Sequence, residues 1–123
     1  MKITFTHEEA QEHFLNAMCN GLGYICDYEL DIRYSKADYE SAARKIKAPC
    51  WEDVLLQILL DGNRIGLYDG NDETTHYITI EDVYNRLPET PIRHLMDMVN
   101  EQDDAVTADV ILQTIFLSEV IYG

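Results

Sequence analysis

Apolar positions along this chain recur with two periods, and each change of period marks an element. Lys2 to Phe5 is a short strand candidate at the start. Thr6 followed three residues later by Glu9 forms a capping box, and Ala10, Phe14, Ala17 and Met18 continue from it at helical spacing. Asn20-Gly21 supplies a left-handed stop for that helix. From Tyr24 to Tyr34 the period becomes two. Tyr24, Cys26, Tyr28, Leu30, Ile32 and Tyr34 fall on one side, with Asp27, Glu29, Asp31 and Arg33 on the other. Strict alternation with one wet face predicts a strand over 24–34 in an antiparallel or edge position.

Ser35, with Asp38 three residues on, opens a second helix whose stripe is Tyr39, Ala42, Ala43 and Ile46, and Pro49 breaks it. A third helix is predicted from Cys50 to Leu60, with Trp51, Val54, Leu55, Ile58 and Leu59 inward and Gly62 at its end. Its stripe widens at Leu56 and Leu60, which makes it the expected central helix of the core. Arg64–Tyr68 and Thr75–Ile80 read as two strands of a hairpin joined by the polar run 69–74. Thr79 with Asp82 opens a short helix that stops before Pro88, and Thr90-Pro91 starts another with Ile92, Leu95, Met96 and Val99 inward. The last helix, from Ala105 to Leu117, is apolar nearly all round, so it is expected to be heavily covered or to lie in a subunit interface.

This order of elements predicts an α+β fold: one domain over 1–123, with a small, mostly antiparallel sheet (strands near 2–5, 24–34, 64–68 and 75–80) against five to six helices. A chain of 123 residues has room for one core, and 46% apolar with 26% charged residues is a globular composition. The longest apolar runs fall far short of a membrane helix, and the N-terminus lacks the apolar segment of a signal peptide. Three cysteines, an odd number without paired spacing, read as reduced thiols, so a cytoplasmic location is expected.

Charge changes the picture more than any motif. Nine Lys and Arg against 23 Asp and Glu give a net charge of −14, which excludes a general phosphate-binding surface and argues against an anionic membrane. No Lys or Arg follows Arg93. On the expected long strand Asp27, Glu29 and Asp31 project from one face, and Asp103 and Asp104 form a second acidic patch that equally suits the start of a helix. A bland solvated face is one account of such a row; a docking surface for a basic macromolecule is the other. Ten base pairs of duplex, about 34 Å long, carry around 20 phosphate charges, and a domain of this length is about 35 Å across. Small acidic proteins that block DNA-handling enzymes by imitating DNA have this size and charge, a likeness of composition with no shared motif.

Candidate chemistry is thin. His7 and His13 stand six apart, about 240° round a helix, and cannot grip one ion, though His13 is within reach of Glu9 one turn back. Asp69, Asn71 and Glu73 imitate the opening of a calcium loop, but Thr74 replaces the required Gly and Ile80 stands where a bidentate Glu belongs. Cys50-Trp51 at a helix start resembles papain-like cysteine proteases, yet Lys47-Ala48-Pro49 stands where their Cys-Gly-Ser element belongs. A buried thiol beside Trp51 is the plainer reading; a base, if one were needed, would be His76 or His94.

The expectation is therefore a non-enzymatic acidic protein, with no catalytic residue, metal or cofactor. It docks on a basic surface of a protein partner through Asp27, Glu29, Asp31, Asp103 and Asp104, as a DNA-mimic-like inhibitor in the sharpest version, with no direct nucleic-acid or membrane binding. Two alternatives stand beside it. One is a self-associating structural protein, a homodimer through the C-terminal helix. The other is a small-molecule binder or cysteine enzyme centred on Cys50, with Tyr24, Tyr28, Tyr34 and Trp51 around it.

Overall fold

The computed structural model describes residues 3–47, 50–102 and 104–122, and the backbone alone of Tyr24. Among them are six α-helices and a three-stranded antiparallel sheet of order β1-β2-β3, an α+β fold. The elements are α1 (His7–Ile25), β1 (Leu30–Arg33), α2 (Lys36–Ala43), α3 (Trp51–Leu60), β2 (Ile65–Asp69), β3 (Thr74–Ile78), α4 (Ile80–Arg86), α5 (Ile92–Val99) and α6 (Ala105–Leu117). Short 3-10 turns at Cys26–Tyr28 and Leu87–Glu89 complete the order. No helix among the described residues is long and apolar enough to cross a membrane.

The core is built round α6. Every residue from Thr107 to Leu117 is buried, so the helix expected to meet either its own fold or a second subunit is covered by its own chain. Its main partner is α1. Phe14 packs near Phe116, while a Cβ on Gly21 would stand 2.9 Å from Leu112 Cδ1 and 3.0 Å from Ala108 Cβ, so the two helices run antiparallel. Gly21 is therefore no stop signal. It lets two backbones approach, and α1 continues for another turn to bury Leu22 and Ile25.

That continuation overturns the long strand. Alternation over 24–34 requires Ile25 to be wet and Cys26 and Tyr34 to be buried, whereas Ile25 is buried and Cys26 and Tyr34 are exposed. Helical spacing from Met18 through Leu22 to Ile25 competes with the alternation and prevails, because it places Leu22 and Ile25 in the core. Only Leu30–Arg33 pairs as a strand, with Leu30 and Ile32 buried and Asp31 and Arg33 exposed. The strand expected near 2–5 is also missing: Ile3–Phe5 pair with nothing as a strand, and Lys2 lies outside the described residues.

Elsewhere local chemistry is obeyed. Thr6 Oγ1 accepts from Glu9 N at 3.1 Å and Glu9 Oε1 from Thr6 N at 2.8 Å. The second capping box, Thr79 with Asp82, opens α4, and Ser35 caps α2. Pro49 lies outside the described residues. The hairpin pairs Ile65 with Ile78 and Asp69 with Thr74; its first strand runs one residue later than expected, and its second starts one residue earlier and ends two earlier. Two helices sit differently than expected. The central one is α6 and not α3, and α5 buries Leu95 and Met98 while Ile92, Met96 and Val99 are 52%, 41% and 46% exposed.

Candidate functional site

A corner forms where the turn before β1 meets the hairpin loop. Glu29 takes a left-handed conformation (φ 63°) that swings the chain from the 3-10 turn into β1. Its carbonyl accepts from Gly70 N at 3.0 Å, and Asn71 Nδ2 donates to Tyr28 O at 2.8 Å. Gly70 fits because a Cβ there would come within 3.1 Å of that same carbonyl. These bonds tie the turn that carries Asp27 and Glu29 to the turn that carries Asp72 and Glu73, and all four carboxylates are exposed. None of the four takes part in an ion pair among the described residues; those pairs are Arg33–Asp31, Lys36–Glu40, Lys45–Asp61 and Arg86–Asp82.

Beneath the corner lies a buried polar network. Asp69 Oδ1 accepts from Asn71 N and Nδ2, both at 2.9 Å, and Oδ2 accepts from the Tyr122 hydroxyl at 2.5 Å. Burial pushes the Asp69 carboxyl up, but the bonds from Tyr122 and Asn71 together outweigh it and hold the group below the usual range. The same bond, with burial, raises the Tyr122 phenol. Tyr122 stacks on Tyr28, whose hydroxyl donates to buried Asp109 at 3.3 Å. Gln113, fully buried, ties the network to the C-terminal segment. Its Oε1 accepts from Ile121 N and Tyr122 N, both at 2.9 Å, and its Nε2 donates to Asp109 Oδ1 at 2.9 Å and Tyr122 O at 3.0 Å. All four hydrogen-bonding positions of the amide are filled. Burial raises the Asp109 carboxyl despite the bonds from Gln113 and Tyr28.

Asp69, Asp72 and His76 place one ligand atom each within 4.8 Å of one another. Both Asp69 oxygens already accept internal bonds, Asp72 Oδ1 accepts from Thr74 N and Oγ1, and His76 Nε2 lies 3.3 Å from Thr74 Oγ1. Three donors so committed fall short of the six to eight oxygens calcium takes. The loop that imitates a calcium site is a turn locked by its own side chains.

The remaining expected residues scatter. Asp31 is on the exposed face of β1 with Arg33 3.6 Å away, so Asp27, Glu29 and Asp31 do not form one strand row. Asp104 caps α6, accepting from Thr107 N at 3.0 Å, and that bond lowers its carboxyl. Asp103 lies outside the described residues. Cys50 is the exposed N-cap of α3, not a core thiol. His94 bonds Thr107 at 3.0 Å, and neither it nor His76 is hydrogen-bonded to Cys50. Tyr28 joins Tyr122, while Tyr34 accepts from Trp51 at 3.3 Å, so the aromatic set does not close on one cavity; the side chain of Tyr24 is not described. His13 makes no hydrogen bond or close ion pair with Glu9, whose carboxylate turns to Thr6, though the His13 charge adds to what lowers that carboxyl; the His13 ring meets Phe5.

Charge is segregated along the chain, and the ends of the sheet differ in sign. Residues 33–64 hold six basic and five acidic side chains, and the rest of the chain holds three and eighteen. At one end of the strands stand Glu29, Asp69 and Thr74 with the acidic loop; at the other stand Arg33, Arg64 and Tyr77. The sequence hid this polarity because it arises from antiparallel pairing, which sets Arg33 opposite Gly66 and Leu30 opposite Asp69. In comparisons with family models, curated proteins and solved structures, the chain matches none.

Proposed function

We propose that this protein is a non-enzymatic binding module that docks on a basic surface of a protein partner through the corner of Asp27, Glu29, Asp72 and Glu73. The observation that supports it is the bipolar sheet: four exposed carboxylates, in no ion pair among the described residues, on the turns at one end, and Arg33 and Arg64 at the other. Like charges held together repel, so a fold that fixes two turns against each other to gather them maintains a destabilising arrangement. A complementary surface relieves that repulsion, steers encounter and makes affinity fall with salt. A partner whose basic surface is built for nucleic acid meets the corner as it meets a short run of phosphates, and the protein then acts as a DNA-mimic-like inhibitor.

A deca-arginine peptide titrated into isotopically labelled protein tests the location. Amide shifts are expected to concentrate at 26–31 and 69–74, with affinity dropping steeply from 0.05 to 0.15 M salt, on the order of tenfold. Shifts spread evenly over α1 and α4 would remove the corner as the docking face.

A second reading, self-association, is favoured by α5. Ile92, Met96 and Val99 expose an apolar stripe, whereas α6 is buried from Thr107 to Leu117 and offers no face there to a twin subunit. Light scattering that returns a monomer mass at 100 micromolar dismisses it.

A further inference from the structure

At the basic end of the sheet lies a cleft of about 260 Å³ lined by Arg33, Tyr34, Ser35, Asp38, Arg64 and Tyr77. Arg33, Gly66 and Tyr77 are neighbours across the three strands, and the missing side chain at Gly66 leaves room for the Tyr77 ring. A Cβ there would meet Thr75 Cγ2 at 2.8 Å and the Tyr77 ring at 3.0 Å, so the ring leans over the glycine. Arg64 stacks on that ring, its guanidinium carbon 3.9 Å from the centroid, and Arg33 lies 4.8 Å from the centroid of Tyr68. Stacking uses the faces of the guanidinium groups and leaves their N–H edges free. Arg64 is in no ion pair among the described residues, and the carboxylate paired with Arg33 is Asp31 at 3.6 Å, beyond hydrogen-bond length.

Two arginines lining one cleft, each with its guanidinium against an aromatic ring, are out of keeping with a chain where acids outnumber bases 23 to 9. We infer that this cleft is a binding site for a small phosphate monoester in its dianionic form, held by the N–H edges of Arg33 and Arg64. Arginine forks match phosphate oxygens two at a time, and the volume admits a fragment-sized ligand and little more. Asp38 sets the charge requirement: with one carboxylate inside and Asp31 beside Arg33, a monoanion gains little, and a dianion gains most. The site is at the far end of the sheet from the acidic corner and is independent of the docking reading.

Phenyl phosphate is the probe, titrated at low salt and followed by calorimetry and amide shifts. Binding is expected with shifts at 33–38, 64–66 and 77, and with affinity rising at least threefold from pH 5 to 7.5 as the ester loses its second proton near pH 6, since arginine does not titrate there. Arg33→Met and Arg64→Met are each expected to weaken binding at least tenfold. Asp38→Asn, which keeps the side-chain shape, is expected to strengthen it and guards against a loss caused by misfolding. No binding at 10 mM phenyl phosphate would overturn the inference, as would affinity unchanged in Arg64→Met or lowered in Asp38→Asn.

Discussion

Replacing Gln113 by Glu changes one NH₂ to an oxygen inside the buried network, and its cost follows from the structure. The acceptor side survives, because a carboxylate oxygen still receives Ile121 N and Tyr122 N. The donor side is inverted: where Nε2 now donates to Asp109 Oδ1 at 2.9 Å and to Tyr122 O at 3.0 Å, a second oxygen faces two oxygens. Two buried carboxylates at that separation cannot both ionise, so the pair keeps a proton. Holding that proton at pH 7 against an ordinary Glu value near 4.3 costs about 1.36 kcal/mol per unit, an upper bound of about 3.7 kcal/mol. Opening of the C-terminal segment to water limits the loss, which leaves about 2–3.5 kcal/mol. The folded-state value of such a group is raised, so the native state binds more protons than the unfolded one. The stabilising proton is therefore fully present below pH 4.3 and is lost as pH rises through the folded value. Urea unfolding of the native chain and Gln113→Glu at pH 4.5 and 7.5 reads this directly, with hydrogen exchange at Ile121 and Tyr122 as a local monitor. A destabilisation under about 1 kcal/mol at pH 7.5, or one equal at both pH values, would refute the reasoning.

Asp109→Asn keeps both of its bonds if the Tyr28 hydroxyl turns to accept, so it is expected to stabilise the fold at pH 7, with an advantage that shrinks as pH falls towards 4, because burial raises the native carboxyl. Urea midpoints across that range check it, and a pH-independent difference would contradict it. Gly21→Val forces methyl groups against Leu112 and the Ala108 backbone and is expected to cost about 1–3 kcal/mol despite a slightly better helix propensity; thermal unfolding at unchanged midpoint would show that the α1–α6 contact is looser than described. Met96→Lys on the exposed stripe of α5 is expected to alter stability by less than about 0.5 kcal/mol, and any dimer that light scattering detects in the native chain is expected to disappear with it.

Local signals were the legible ones. Both capping boxes, the Ser35 cap, the hairpin and the span of α6 follow from side chains within a few residues of each other, and the structure carries them. What misled was ambiguity of period. The stretch 24–34 alternates cleanly, yet Leu22 and Ile25 also continue a helical stripe, and the three-dimensional demand to cover α6 decides between them. Gly21 had the same double meaning: a stop in one dimension, a crossing point in three. On α5 the pattern Ile92, Leu95, Met96, Val99 predicts a buried face, but the helix is rotated so that Leu95 and Met98 reach the core. Of the expected contacting carboxylates, Asp27 and Glu29 remain on one turn, which is tied to the turn of Asp72 and Glu73 that no local pattern links to it. That meeting depends on the Gly70–Glu29 and Asn71–Tyr28 bonds, made between residues about 40 positions apart.

Gathered charge, as opposed to total charge, is the claim everything functional depends on, and two variants of equal net charge separate them. One neutralises the corner, Asp27→Asn, Glu29→Gln, Asp72→Asn and Glu73→Gln. The other neutralises four exposed carboxylates on the first two turns of α1, on α4 and in the turn after it: Glu8→Gln, Glu12→Gln, Glu81→Gln and Glu89→Gln. Affinity for a deca-arginine peptide at 0.05 M salt is the measurement. The account predicts a loss of at least about tenfold for the corner variant and less than about threefold for the other. Equal losses for the two would show that only the overall charge matters and that the corner is no docking site.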